Sequence, residues 1–192
     1  MKNYQKEALE IAKKSILEYF GEDLLKKYSI QNKELLEKKA CFVTLKSFGK
    51  DLRGCIGNIF PVGSLYDSIL SNAKSSAFHD PRFSPLTKDE LENNDLFIEI
   101  TILSEIQEKQ FSNIKELLQF LRDNKPGLII ELDNREATFL PSVWHEIKSE
   151  EDFLTHLIYK AGIDINKFIS NFSKVKTSFY TGEEFGEYFK DI

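Results

Sequence analysis

The chain is poor in the residues that mark several common protein classes. It has only two cysteines in 192 residues, Cys41 and Cys55, too few for a disulfide scaffold or a four-cysteine zinc site. Its apolar runs fall short of the roughly 18 residues that would span a bilayer, and the N-terminus lacks the apolar core of a secretion signal. These absences predict a cytoplasmic protein without a membrane segment.

The chain also lacks an excess of positive charge. Lys and Arg number 26 against 31 Asp and Glu, a formal net charge of −5, which argues against direct binding to nucleic-acid phosphates. In so lysine-rich a chain, an arginine suggests a position that needs a planar, forked donor rather than charge alone. The four arginines are Arg53, Arg82, Arg122 and Arg135.

Sequence motifs for nucleotides, metals and acyl-enzyme chemistry are missing. The chain contains no GxGxxG, GxxxxGK[ST], GxSxG, HExxH or CxxC segment, so nucleotide-binding folds and α/β-hydrolases are not expected. The histidines, His79, His145 and His156, are not spaced as metal ligands. The sequence therefore predicts neither a metal site nor a cofactor.

Hydropathy patterns predict helices interleaved with β-hairpins. Apolar residues recur every three or four positions over residues 4–20 and 65–78, which predicts amphipathic helices, and strict alternation over 96–103 predicts a strand. Without a βαβ rhythm or a linker, the class is α+β, with mixed or antiparallel sheets in a single domain over 1–192. Shorter helices are predicted at 33–39, 87–93, 113–123, 149–162 and 166–171, strands at 41–46, 52–57, 128–132, 137–140 and 175–180, and a charged tail after them.

The segment LRGCIG, residues 52–57, has a cysteine between two glycines. Glycine within a strand marks a bulge or a close approach by another group. Regular alternation places Arg53 and Cys55 on one face of the strand, where a guanidinium would lower the pKa of the thiol. If that face is covered, Cys55 is instead a small buried hydrophobic residue, and both interpretations stay open.

The segment AFHDPRFSPL, residues 77–86, predicts a rigid turn where a helix ends, because Pro81 disfavours helical geometry at Asp80. Asp80 and Arg82 can pair across this turn. One interpretation is a purely structural turn, in which Asp80 accepts hydrogen bonds from the turn amides and from Arg82. The other is that the turn presents His79 and Arg82 to an anionic ligand.

The two cysteines could also face each other. A three-residue hairpin loop centred on Phe48 would place Cys41 directly opposite Cys55, within the distance that a disulfide needs. Changing the loop length by one residue removes this pairing. A redox pair is therefore a hypothesis that depends wholly on the register of the hairpin.

Together with the IEITILS strand and the TFLPSVW segment, these motifs resemble the AMMECR-type domain family, also called the AmmeMemoRadiSam system protein A group, over residues 5–180. The resemblance implies an α+β fold of two packed subdomains with a cleft near LRGCIG. It also implies genomic association with a radical-SAM protein and a Memo-like protein. The family has no established biochemical activity, and the closing SFYTGEEFGEYF segment is less basic than is usual in it.

Two functions follow as hypotheses. In the first, the chain is a non-catalytic binding module that works with the radical-SAM and Memo-like partners, or takes a small anionic ligand. In the second, it is an enzyme or enzyme subunit. The binding residues of the first hypothesis are Arg53, Gly54, Gly57, Asp80, Arg82 and Glu99.

The enzyme hypothesis assigns a chemical role to each of four side chains in or near the two motifs. Cys55 would be the nucleophile or covalent carrier, with Arg53 as an anion clamp. His79 would shuttle a proton, as histidine side chains do in many enzymes, and Glu99 would orient the arginines. No general base is identifiable by spacing, which favours the binding module.

Overall fold

The protein is described from a computed structural model that covers residues 1–21, 23–26, 28–47, 51–92 and 96–192. The chain divides into two compact units, the first made of Met1–Leu103 with Glu183–Ile192 and the second of Ser104–Gly182. Each unit has a four-stranded sheet and a hydrophobic core of its own. The predicted α+β class with antiparallel sheets is confirmed.

The elements follow the predicted order closely. In chain order they are α1 (Asn3–Glu18), β1 (Cys41–Ser47), β2 (Asp51–Gly57), α2 (Leu65–Phe78), α3 (Lys88–Glu92), β3 (Phe97–Leu103), β4 (Gln107–Glu108), α4 (Ile114–Asn124), β5 (Gly127–Leu132), β6 (Arg135–Phe139), α5 (Glu150–Lys160), α6 (Ile165–Ser170), β7 (Lys176–Tyr180) and β8 (Gly182–Tyr188). The helix predicted at 33–39 is a single 3₁₀ turn, Lys33–Leu36. Asn93, and Phe48 and Gly49 of the predicted hairpin loop, lie outside the described residues.

The first sheet has the strand order β2-β1-β3-β8, so β2 is an edge strand. Helices α1 and α2 pack against each other and against this sheet, where Cys41, Val43 and Leu45 of β1 are fully buried in their shared core. Because side chains alternate along a strand, the intervening residues of β1 lie on the opposite face. We call that opposite face the far face; it carries Phe42, Thr44, Lys46, Cys55, Gly57, Phe97, Glu99 and Thr101.

Local signals explain where the helices of this unit begin. Ser64 Oγ accepts a hydrogen bond from the amide of Asp67 at 3.1 Å, which caps the start of α2. Thr87 and Glu90 form a reciprocal capping box at α3, with hydrogen bonds of 2.9 and 3.3 Å. Both starts are those that the sequence predicted.

The charged tail is a strand, which the sequence analysis did not predict. β8 lies at the edge of the first sheet beside β3, where Phe185 joins the core. Glu183 accepts hydrogen bonds from Gln5 of α1 and from Lys2, which directly precedes that helix. The alternation that buries Phe185 is masked in the sequence by the charged residues on either side of it. β4 was also missed, because two residues are too few to show a period.

The second unit has the strand order β4-β7-β5-β6. Its core includes Trp144, which stacks on Phe153 of α5 with ring centroids 4.0 Å apart. The predicted hairpin of β5 and β6 turns at Asp133 and Asn134, which both have positive φ angles, of 51° and 61°, as a two-residue hairpin turn requires.

Across the described ranges, no helix combines the length and the apolar character that crossing a membrane would require.

Candidate functional site

The two sequence motifs meet at the backbone of Cys55. The amide of Cys55 donates to Oδ2 of Asp80 at 2.9 Å, and Nη2 of Arg82 donates to the carbonyl of Cys55 at 3.3 Å. These are backbone groups of the edge strand β2, where a further strand would otherwise supply the partners. The carboxylate and the guanidinium therefore take the place of a neighbouring strand at this one residue.

Asp80 holds the centre of this arrangement. It is only 4% exposed and also accepts from the amide, Nε and Nη2 of Arg82, at 3.1, 3.0 and 2.8 Å. The hydrogen bond from Arg82 is the main reason that the pKa of Asp80 lies well below its usual range, and the same bond raises the pKa of Arg82. The pair is therefore fully charged at neutral pH.

The glycines of LRGCIG are required by close packing on both faces of β2. A Cβ at Gly54 would lie 2.1 Å from the carbonyl oxygen of Ser76 in α2. A Cβ at Gly57 would lie 2.3 Å from the ring of Phe42, its partner on β1. Neither position has room for a side chain, so each glycine has a steric reason within the fold.

Arg53 lies at an irregularity in β2. The register pairs Leu45 with Gly54 but Lys46 with Leu52, so Arg53 has no partner on β1 and the simple alternation expected from the sequence is interrupted. Its Nε and Nη2 donate to the two carboxylate oxygens of Glu90 in α3 at 2.7 and 3.1 Å. This pair lowers the pKa of Glu90 and ties β2 to α3.

The thiol of Cys55 belongs to a row of polar side chains across the far face. Thr44 on β1 lies directly opposite both Cys55 on β2 and Glu99 on β3, and its hydroxyl donates to Sγ of Cys55 at 3.2 Å. Nζ of Lys46 donates to both oxygens of Glu99 at 2.8 and 2.7 Å. We call Cys55, Thr44, Glu99 and Lys46 the cross-strand row.

One expectation about a neighbouring side chain needs correction, and a second, the role of His79, stays a prediction. Glu99 was expected to orient the arginines, but its ion pair is with Lys46, whereas Arg53 and Arg82 are held by Glu90 and Asp80. His79 is exposed where α2 ends. In the described part of the chain, the side chains that hydrogen-bond Cys55 are those of Thr44, Asp80 and Arg82, without His79.

Thr44 and Lys46 were missed by the sequence analysis. Alternation along β1 indicates that both lie on the polar face of the strand, but only the register places Thr44 between Cys55 and Glu99. The register shifts at the irregularity around Arg53, which residue type does not mark.

The same register separates the two cysteines. Cys55 faces Thr44, whereas Cys41 faces Ile102 on β3, and the carbonyl of Cys41 accepts from the amide of Asn58 at 3.2 Å. Both cysteines are free thiols. The hypothesis that Cys41 and Cys55 lie opposite each other as a redox pair is therefore wrong.

The two thiols should differ sharply in reactivity. Cys41 is fully buried, and burial raises its pKa to about 12, whereas Cys55 is partly exposed. We expect iodoacetamide to alkylate Cys55 in the folded protein and Cys41 only after unfolding, as read by peptide mass spectrometry. Equal labelling of both cysteines in the folded protein would contradict this assignment.

The described residues include no cluster of three or more His, Cys, Asp or Glu side chains that could hold a metal ion. The groups placed around the backbone and thiol of Cys55 include the hydroxyl of Thr44 and the ion pairs of Asp80 with Arg82, Glu90 with Arg53 and Glu99 with Lys46.

Comparisons with known proteins identify the family. The AMMECR1 family model matches residues 9–185. Protein LS215_2104 of Saccharolobus islandicus is 35% identical over 173 residues, which cover 88% of this chain and 75% of the relative. Protein Mbar_A1807 of Methanosarcina barkeri is 37% identical over 161 residues, which cover 81% and 78%.

A solved structure agrees with these sequence matches. The uncharacterised protein PH0010 from Pyrococcus horikoshii superposes with a TM-score of 0.75 at 28% identity, over 95% of this chain and 91% of that one. The motifs, the matched length and the shared fold lead to one conclusion: the chain belongs to the AMMECR1 family.

Proposed function

We propose that this chain is a cytosolic binding module whose recognition surface is the cross-strand row on the far face of the first sheet. The observation that carries the proposal is the convergence of both motifs on Cys55, whose amide and carbonyl are fixed by Asp80 and Arg82. These two bonds fix the backbone of Cys55, and the hydrogen bond from Thr44 to Sγ restrains its side chain, which together lower the entropic cost of binding.

A binding role accounts for the arrangement better than nucleophilic catalysis does. The enzyme hypothesis needs a base that accepts the thiol proton. Among the described residues, the side chain that hydrogen-bonds Sγ is that of Thr44, and its hydroxyl is not a base near neutral pH. It also needs Arg53 as an anion clamp, and the fork of Arg53 is already bonded to Glu90. His79 as a proton shuttle stays a prediction.

The proposed partners are a radical-SAM protein and a Memo-like protein, which the family resemblance implies. In this arrangement the AMMECR1-family chain presents a ligand or a docking surface, and a partner supplies the chemistry. The β2 edge at Cys55 is occupied by Asp80 and Arg82, so a partner is expected to contact Cys55 through the far face rather than by adding a strand.

The test uses the purified chain with the radical-SAM and Memo-like proteins of the same genome, and calorimetry to measure the dissociation constants. Prior alkylation of Cys55 with N-ethylmaleimide should weaken the complex by at least about tenfold, because the adduct occupies the far face. The matched control is Cys55→Ser treated with the same reagent, which should bind like the untreated chain.

Two results would contradict the proposal. One is the absence of a complex with either protein at micromolar concentrations. The other is a complex that forms equally well with the alkylated chain. Loss of binding in untreated Cys55→Ser would instead favour the hypothesis that Cys55 forms a covalent bond.

A further inference from the structure

The three basic side chains described around Cys55 are each neutralised by a carboxylate. The pairs are Arg53 with Glu90 at 2.7 Å, Arg82 with Asp80 at 2.8 Å and Lys46 with Glu99 at 2.7 Å. The formal charge of this set is zero. A site built to recognise an anion would be expected to leave at least one cation in excess.

The pair that belongs to the cross-strand row is Lys46 with Glu99. Its side chains are only 23% and 15% exposed, so solvent screens it less than a surface pair. An ammonium has three N–H donors and a carboxylate has about four acceptor positions. After the two hydrogen bonds between them, both groups can still bond to a ligand.

We propose that the cross-strand row takes a neutral group with both a donor and an acceptor, a carboxamide or peptide group, in preference to an anion. This inference rests on the proposed function and names the ligand class of the same site. The carbonyl of an amide accepts from Lys46 while its N–H donates to Glu99, so the ion pair need not separate. A peptide group is also what a partner protein presents.

An anion would meet the opposite electrostatic situation. Bound to Lys46, it would lie beside the carboxylate of Glu99, which accepts two hydrogen bonds from the same ammonium. Like charges close together in a half-buried site are strongly unfavourable. The small anionic ligand considered from the sequence is therefore the less favoured ligand for this row.

Two alkylating reagents test this inference directly. Iodoacetamide and iodoacetate alkylate the same thiol by the same reaction. The first carries a neutral amide group and the second carries a carboxylate. We divide the alkylation rate of iodoacetamide by that of iodoacetate at Cys55, and we expect this ratio to be at least about threefold higher in the folded chain than in the unfolded chain. The reason is that the reagent's carboxylate loses solvation at a half-buried site where every described cation is already paired, whereas the neutral amide loses less. Peptide mass spectrometry gives both rates.

The variant Glu99→Gln provides a gain-of-reactivity test. It keeps the size of the side chain but removes its charge, which leaves Lys46 unneutralised, so the rate ratio should shift towards iodoacetate by about threefold to tenfold. Glu131→Gln is the matched control, because Glu131 also pairs with a lysine on the neighbouring strand, Lys176 at 3.0 Å, but in the second unit. It should leave the ratio at Cys55 unchanged.

Three outcomes would overturn the inference: a folded-chain ratio no higher than that of the unfolded chain, a ratio unmoved by Glu99→Gln, or no alkylation of folded Cys55 by either reagent. These outcomes are separable from failure of the proposed function. A partner complex that is sensitive to alkylation, together with a preference for iodoacetate, would keep the binding module and reject the ligand class.

Discussion

Replacing Asp80 with asparagine is expected to lower the free energy of unfolding by about 3 kcal/mol. The change preserves the shape of the side chain but removes the charge that binds Arg82, and it places an amide where donors from Cys55 and Arg82 both need an acceptor. The side chain of Arg82 is 54% exposed and can regain bonds to water, so the loss arises mainly at the buried position of Asp80 and at the amide of Cys55. Denaturant unfolding at neutral pH measures the difference.

The effect of this substitution should depend on pH in a defined direction. Arg82 lowers the pKa of Asp80 in the folded state, so the contribution of Asp80 to stability is complete above its unfolded pKa of about 4 and decreases as the pH falls below that value. The difference between wild type and Asp80→Asn should therefore shrink on acidification. A difference that stayed constant down to about pH 2 would contradict this assignment.

The control for Asp80→Asn is the same chemical change at an exposed ion pair. Asp133 contacts Lys167 at 2.7 Å, and both side chains are more than half exposed. Ion pairs of this kind contribute little to stability, so Asp133→Asn should unfold at nearly the same denaturant concentration as the wild type. If Asp133→Asn lowered the free energy of unfolding as much as Asp80→Asn does, burial would not explain the contribution of Asp80.

Gly54→Ala is expected to destabilise the first unit by about 3 kcal/mol, at the upper end of the usual cost of overpacking. The added Cβ would lie 2.1 Å from the carbonyl oxygen of Ser76 and 3.0 Å from its carbonyl carbon. Both are backbone atoms of α2, so relief requires the helix to move away from β2. Thermal or denaturant unfolding gives the loss.

The matched control is Gly63→Ala. A Cβ there would meet nothing closer than 3.5 Å, at the side chain of Asp67, which is an ordinary contact. The free energy of unfolding should change by less than about 1 kcal/mol. If Gly54→Ala were equally well tolerated, the close approach of α2 to β2 would not be the reason for glycine in the motif.

These two substitutions bear on how the LRGCIG motif is interpreted. Its glycines and Arg53 have structural partners in Ser76, Phe42 and Glu90. Cys55 differs, because the fold fixes its backbone and leaves its thiol on the far face next to Thr44. The functional hypothesis therefore depends on the side chain of Cys55 and on the row beside it.

Most secondary structure followed from local signals in the sequence. Hydrogen bonds across three residues, such as Ser64 to Asp67, set helix starts, and apolar periodicity identified α1, α2 and β3. The strand β8 escaped detection because its buried residue, Phe185, lies among glutamates, and its pairing with β3 is not a local property.

The sequence alone determined the class of fold, the family and the two motifs around Cys55 and Asp80. Only the tertiary structure decided which side chains meet. Arg53 bonds Glu90, which lies 37 residues away along the chain, and Glu99 on β3 bonds Lys46 on the adjacent strand β1. Cys55 faces Thr44 rather than Cys41. The physical reason is that helix caps and periodicity act over a few residues. Strand register and ion-pair partners depend on bulges and on helix packing between segments that are distant along the chain.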